Sequence, residues 1–217
     1  SKVSSLFLDG NCAGIQGARC LGRALARVGS PLVELGLSGN ALGNDGMHQL
    51  LLHGPGQLQL LGLQDNGLDS GSLPDLHEAL ASGSLRALNL SGNAFKDIRG
   101  VLDGARLQQQ RRPAGPTLEG LYLSDNGLDD ACALSLAEFL KEDGCSLRLL
   151  ALDRNPMGDA GLEGLVECLV VNRSLLSISA MGCPCSHSVL RDTTEFLKSR
   201  SVRTHSASVP ANVLQTV

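Results

Sequence analysis

The sequence predicts an α/β solenoid of about seven strand-turn-helix repeats, and three observations predict it. A five-anchor apolar string recurs along nearly the whole chain. An asparagine follows most copies at a fixed offset. After that asparagine, the apolar spacing switches from two to three and four, the change from strand to helix.

The string is clearest at Leu32, Leu35, Leu37, Asn40 and Leu42, which reads L-x-x-L-x-L-x-x-N-x-L. It returns at Leu58, Leu61, Leu63, Asn66 and Leu68, and again at Leu85, Leu88, Leu90, Asn93 and Phe95. Further copies are Leu118, Leu121, Leu123, Asn126 and Leu128, then Leu147, Leu150, Leu152, Asn155 and Met157. Two weaker copies bracket these: Val3, Leu6, Leu8, Asn11 and Ala13 at the start, and Leu175, Ile178, Ala180, Cys183 and Cys185 at the end. Alternate residues of a strand face opposite sides, so the leucines of each L-x-L point inward and the intervening residues face solvent. One such strand cannot bury its apolar face alone, but a stack of them can. The asparagine sits where the chain leaves the strand, and a stack of its amides can satisfy turn peptide groups that burial removes from water.

The helical half of each repeat follows. Leu42-Gly43-Asn44-Asp45-Gly46-Met47 leads to Leu50 and Leu51; Leu128-Asp129-Asp130-Ala131-Cys132 leads to Leu134, Leu136 and Leu140; Met157-Gly158-Asp159-Ala160-Gly161-Leu162 leads to Leu165, Val166 and Leu169. Asp45, Asp130 and Asp159 lie where helices should start, positioned to cap free amides at the positive dipole end.

A period of about 28 residues with x-x-N-x-L-G-x-x-G before a helix resembles the ribonuclease-inhibitor class of leucine-rich repeats. The resemblance implies a horseshoe with a concave parallel sheet and convex helices. It also implies a binding role, since that class includes inhibitors, innate-immune sensors, GTPase-activating proteins and actin regulators.

The expected organisation is a solenoid over residues 1–199, closed by a helix containing Val189, Leu190, Phe196 and Leu197, with a flexible Ser-rich tail over 200–217. In that tail Arg203 precedes Ser206 by three residues, as in substrates of basophilic kinases. The chain begins almost inside a strand with no polar capping element, which leads us to expect upstream sequence. The longest repeat holds an insertion, Gln108-Gln109-Gln110-Arg111-Arg112-Pro113-Ala114-Gly115-Pro116, expected as a protruding loop whose arginines are available to an acidic partner.

Composition narrows the function. Aromatics make up 2% of 217 residues, so aliphatic side chains must fill the core. A net charge of −4 argues against a dedicated nucleic-acid surface. No run is long enough for a membrane helix. Of seven cysteines, most lie inside apolar helical or strand patterns and read as small buried hydrophobes of a reduced, intracellular protein, cytoplasmic or nuclear. Cys183-Pro184-Cys185 with His187 suggests a zinc pair, but Cys183 falls at the asparagine position and Cys185 at the next apolar anchor, which assigns both to the repeat. His48, His53, His77, His187 and His205 show no catalytic spacing, and no phosphate-binding glycine loop is present. The reading is therefore a non-enzymatic chain without catalytic, metal or cofactor residues.

The register places a row of mostly small, mildly acidic residues on the solvent face of the sheet. The candidate partner-binding residues are Phe7, Glu34, Asp65, Tyr122, Asp125, Asp153 and Arg154, with Asp9 adding to the acidic balance. Tyr122 is the expected anchor, because buried aromatics dominate many interfaces, and the acids favour a basic peptide or helix. The expected function is a protein-protein interaction module of a larger intracellular scaffold. The alternatives are a regulator of a small GTPase, a ligand-sensing domain of an innate-immune receptor, and a replication-repair scaffold with repeats of this class at its C-terminal end.

Overall fold

A computed structural model describes residues 3–27, 30–112, 115, 117–186, 188 and 191. Strands and helices alternate along it: β1 (Ser5–Phe7), α1 (Gly14–Leu25), β2 (Glu34–Gly36), α2 (Gly43–Leu51), β3 (Leu60–Gly62), α3 (Leu73–Ser82), β4 (Ala87–Asn89), α4 (Arg99–Arg111), β5 (Gly120–Tyr122), α5 (Asp130–Lys141), β6 (Leu149–Ala151), α6 (Asp159–Val171) and β7 (Ser177–Ser179). A short 3-10 turn, Ser70–Ser72, precedes α3. The strands form one parallel sheet in chain order, as a solenoid requires. The helices sit on its convex side.

Each strand is only three residues long, and its central leucine does the burying. Leu35, Leu61, Leu88, Leu121 and Leu150 are at most 2% exposed, and the leucines two residues on (Leu37, Leu63, Leu90, Leu123 and Leu152) are fully buried. Removing such a side chain from water contributes roughly 1.5–3 kcal/mol. In the weaker end copies Leu6, Leu8 and Ile178 are only partly buried against the core.

The asparagines join one repeat to the next. Nδ2 of Asn66 donates to the Leu37 carbonyl of the preceding repeat at 2.9 Å, and its Oδ1 accepts from the amides of Asn40 at 3.1 Å and Leu42 at 3.3 Å. Asn155 repeats this with the Leu123 carbonyl and the Asn126 and Leu128 amides. Asn40, Asn93 and Asn126 donate in the same way to Leu8, Leu63 and Leu90. Cys183 occupies the last place: its thiol donates to the Leu152 carbonyl at 3.4 Å, and burial pushes its pKa up. The thiol keeps the donor half of the asparagine's role.

A second ladder runs four residues after the asparagine. Oδ1 of Asn44 accepts from the Asp69 amide at 3.1 Å, Asp130 from Gly158 at 2.6 Å and Asp159 from Ser186 at 2.5 Å. This corrects the expected capping. Asp130 and Asp159 do not cap their own helices but satisfy a turn amide one repeat further on. The cap of α5 is Asp129, which accepts from the Cys132 amide at 3.1 Å. Asp45 lies in the first turn of α2 without a capping hydrogen bond, leaving only the dipole interaction.

The helices pack as pairs: α1 lies against α2, α3 against α4 and α5 against α6, while α2 and α3, and α4 and α5, touch along a few residues only. Glycine permits the close approach. A Cβ on Gly22 of α1 would stand 2.5 Å from the Gln49 carbonyl oxygen of α2, and one on Gly104 of α4 would stand 2.7 Å from the His77 carbonyl oxygen of α3. The wider α4–α5 junction is bridged by Arg106, which bonds Glu142 at 2.7 Å and lies 5.4 Å above the Phe139 ring.

The insertion does not protrude as expected from its start. Its first four residues complete α4. Gln108 is fully buried: it donates to the Leu85 carbonyl and accepts from the Leu118 amide, both at 2.9 Å, so it bridges two strand entries. Arg111 and Arg112 donate to the Ala81 and Ser82 carbonyls at the C-terminus of α3, where a cation meets the negative dipole end. The cysteines also divide. Cys132, Cys168 and Cys183 are buried, Cys132 with its pKa raised to about 11, whereas Cys12 and Cys20 are exposed. The closing helix lies largely, and His187 and the Ser-rich tail wholly, outside the described residues.

Asn66→Ala leaves one carbonyl and two amides unpartnered in the interior, so it should lower unfolding stability by about 3 kcal/mol. Asn11, which is exposed and donates only to the Asp9 carbonyl in its own turn, is the control; Asn11→Ala should cost under about 0.5 kcal/mol. Urea unfolding of both variants checks the pair, and equal losses would contradict it.

Candidate functional site on the concave sheet face

Strand pairing aligns the outward-facing positions into rows. Ser5, Glu34, Leu60, Ala87, Gly120, Leu149 and Ser177 form one row; Phe7, Gly36, Gly62, Asn89, Tyr122, Ala151 and Ser179 form the next. A groove of about 410 Å³ lies over the first five strands. Its floor is Leu60, Gly62 and Ala87, and it runs from Phe7 to Tyr122 past Glu34, Gln64 and Asn89.

Small residues shape both ends. Phe7 is 56% exposed and lies over Gly36, where a Cβ would come within 2.8 Å of its ring. Tyr122 leans back along its own strand over Gly120: a Cβ there would stand 3.4 Å from the ring and 3.5 Å from Ala87. The Tyr122 hydroxyl is buried and has no hydrogen-bond partner among the described residues. Burial also raises its pKa above the usual tyrosine value.

The acids differ in what they already hold. Asp9 accepts from the Ser38 amide at 2.6 Å, and Asp153 accepts from the Met181 amide at 2.7 Å and from the Ser179 hydroxyl. Each therefore ties two neighbouring strand ends together. Asp125 is bound by Arg154, whose Nε donates at 2.6 Å; that bond holds the carboxyl below the usual aspartate range and raises the guanidinium. Both groups are exposed, so the pair contributes little to stability. Asp65 is exposed at the rim beside Gln64, which donates to it at 3.1 Å. Glu34 is half-buried in the groove wall, and its carboxylate has no hydrogen bond or ion pair to a described residue.

Of the seven candidate residues, the structure brings Phe7, Glu34 and Tyr122 into the groove. Asp65, Asp125, Asp153 and Arg154 stand instead where the chain turns away from the sheet. Asp65, Asp125 and Arg154 have positive φ, in the row where Gly10, Gly39, Gly92 and Gly182 occupy the other repeats. Gly62, Leu60 and Asn89 complete the groove. The sequence register marks them as outward-facing, but nothing in it distinguishes them from the rest of the row.

Fold and ladder define a class, the strand-turn-helix solenoid with a polar ladder at each turn. The family model for the Leucine Rich repeat matches residues 145–166. The chain is thus a leucine-rich-repeat solenoid, similar in its repeats to the relatives that follow. Mouse ribonuclease inhibitor is 34% identical over 77% of this chain, which spans 36% of that protein. Human NACHT, LRR and PYD domains-containing protein 12 is 30% identical over 66% of this chain, which spans 16% of it. Mouse Tonsoku-like protein is 27% identical over 93% of this chain, which spans 17% of it. The chain thus spans about a third or less of each of these relatives.

Tyr122 is the chain's only tyrosine and there is no tryptophan, so absorbance at the phenolate band reports this one residue. It should titrate above an ordinary tyrosine. Folded protein then keeps the phenolic proton where unfolded chain has lost it, so stability is fully present below about pH 10 and falls as pH rises beyond. Tyr122→Phe removes a buried donor that lacks a partner, and should raise stability by about 1 kcal/mol. A loss of stability in that variant would show that the hydroxyl is satisfied in solution.

Proposed function

We propose that this run of repeats is a protein-interaction module, not an enzyme, and that its concave face takes a basic peptide or helix from another protein. The observation that carries this reading is the groove between Phe7 and Tyr122. It pairs an apolar floor with a carboxylate, Glu34, that no described residue engages. Aromatic side chains at both ends can bury against a partner with little loss of rotamer freedom, as interface anchors do. The groove crosses four strand spacings, roughly 19 Å, which suits about six residues of extended chain or about 13 of helix. A partner would bury side chains of Phe7, Glu34 and Tyr122, while the rim acids Asp65, Asp125 and Asp153 would steer it and Arg154 would fix its register.

The comparisons support the binding reading at the level of the class: one relative is named for inhibiting a ribonuclease, an action on another protein. A second reading, a scaffold of the Tonsoku-like type working in replication repair, is favoured by the 93% of this chain over which that relative is similar. The two readings agree on a groove that holds a protein segment and differ in which protein supplies it. No helix among the described residues is long and apolar enough to cross a membrane.

Anisotropy titration of labelled 15-residue peptides, one rich in lysine and arginine and one acidic, tests the proposal. The basic peptide should bind and the acidic one should not. Tyr122→Ala and Glu34→Lys should each weaken binding about tenfold or more. Asp125→Lys should act through long-range attraction, so its effect should fade at high salt. Equal binding of both peptides, or no change in either groove variant, would overturn it.

A further inference from the structure

We propose that the groove is built around one side chain of the partner, an arginine, which lies along its floor and delivers its guanidinium to Glu34. This rests on the reading of the concave face as a binding surface for a basic segment. Three features of the groove select the side chain.

The first is the unengaged carboxylate. Every other acid on this face is already held: Asp9 by Ser38, Asp125 by Arg154, Asp153 by Met181 and Ser179, and Asp65 by Gln64. Glu34 alone among the described acids of this face has no polar partner, and it is half-buried rather than free in solvent. A half-buried carboxylate is stabilised by a cation that brings its own apolar stem.

The second is the floor. Leu60, Gly62 and Ala87 form an apolar strip from the Glu34 wall towards Tyr122. A Cβ on Gly62 would make only ordinary contacts, the nearest at 3.6 Å, so an added carbon can be accommodated above this part of the floor. An aliphatic stem can lie there without displacing any side chain.

The third selects arginine over lysine. Asp9, two residues beyond β1, has Oδ2 3.0 Å from the position of a Cβ on Gly36, and only its Oδ1 is held by the Ser38 amide. Asp9 and Glu34 both line the groove, and two carboxylates in one groove suit a planar fork with several donors better than a single ammonium. The Phe7 and Tyr122 rings close the ends, and a guanidinium is less costly to remove from water and stacks on such faces.

The test is a titration of the ¹⁵N-labelled chain with three capped amino acids: N-acetyl-arginine methylamide and its lysine and citrulline counterparts. The arginine compound should produce saturable shifts at the Gly36, Gly62 and Asn89 amides. The lysine compound should bind at least fivefold more weakly, and citrulline, which has the shape without the charge, should leave these amides unmoved. Glu34→Gln should abolish the arginine response without changing the thermal midpoint, because the carboxylate supports no described contact. Citrulline binding as well as arginine, or an arginine response that survives Glu34→Gln, overturns the arginine site. If in that case the longer basic peptide still binds and still loses affinity in Tyr122→Ala, the broader reading of the groove stands. If neither the capped arginine nor the basic peptide shifts any groove amide, both fail.

Discussion

Asn66 makes one carbonyl and two amides compatible with burial, and all three belong to the preceding repeat or to the junction with it. The architecture depends on that exchange. A three-residue strand has too few backbone bonds and too little apolar area to hold a chain that must leave the sheet at once. The turn that follows would carry peptide groups into the interior with no partner, at a cost of about 1–3 kcal/mol for each. An amide side chain supplies a donor and an acceptor from one point, so each repeat completes the turn before it. Cys183 shows the minimum requirement: its thiol keeps the donor to the carbonyl of the preceding repeat.

The same exchange positions the groove. Once the ladder fixes the register, every outward-facing residue stands beside its equivalents at strand spacing, and the shape of the face follows from which of them are small. Gly36, Gly62, Ala87 and Gly120 clear a trough, and Phe7 and Tyr122 fold over the glycines at its ends. The acids that look alike in sequence are separated by the same geometry. Asp9 and Asp153 are drawn into strand-end bonds, Asp125 is claimed by Arg154, and Glu34 is left facing the trough.

Much of the fold was legible in the sequence because its signals are local. The L-x-L spacing sets the strands, the asparagine marks each turn, and even Cys183 could be assigned by its place in the repeat. What escaped reading acts across repeats. Asp130 sits where a cap is expected, yet its carboxylate reaches Gly158, 28 residues on, while the neighbouring Asp129 does the capping. Gln108 belongs to a polar run that resembles a surface loop, but the longer repeat leaves a gap between strand entries that its amide fills. On the concave face, alternation identified the outward-facing residues, including Phe7, Glu34 and Tyr122. It could not show which carboxylates were already engaged, because their partners, the Ser38 and Met181 amides and the Arg154 guanidinium, come from the next repeat.

The account places the turn amides of Leu42, Leu68 and Leu128 under the asparagine of the following repeat, away from any strand or helix of their own. Native-state hydrogen exchange at these three amides tests that claim most directly. They should exchange only through cooperative opening, with protection matching that of the core helix amides. Exchange as fast as that of the exposed turn amides beside them would mean that the ladder does not hold the repeats together, and the account of the fold would fail with it.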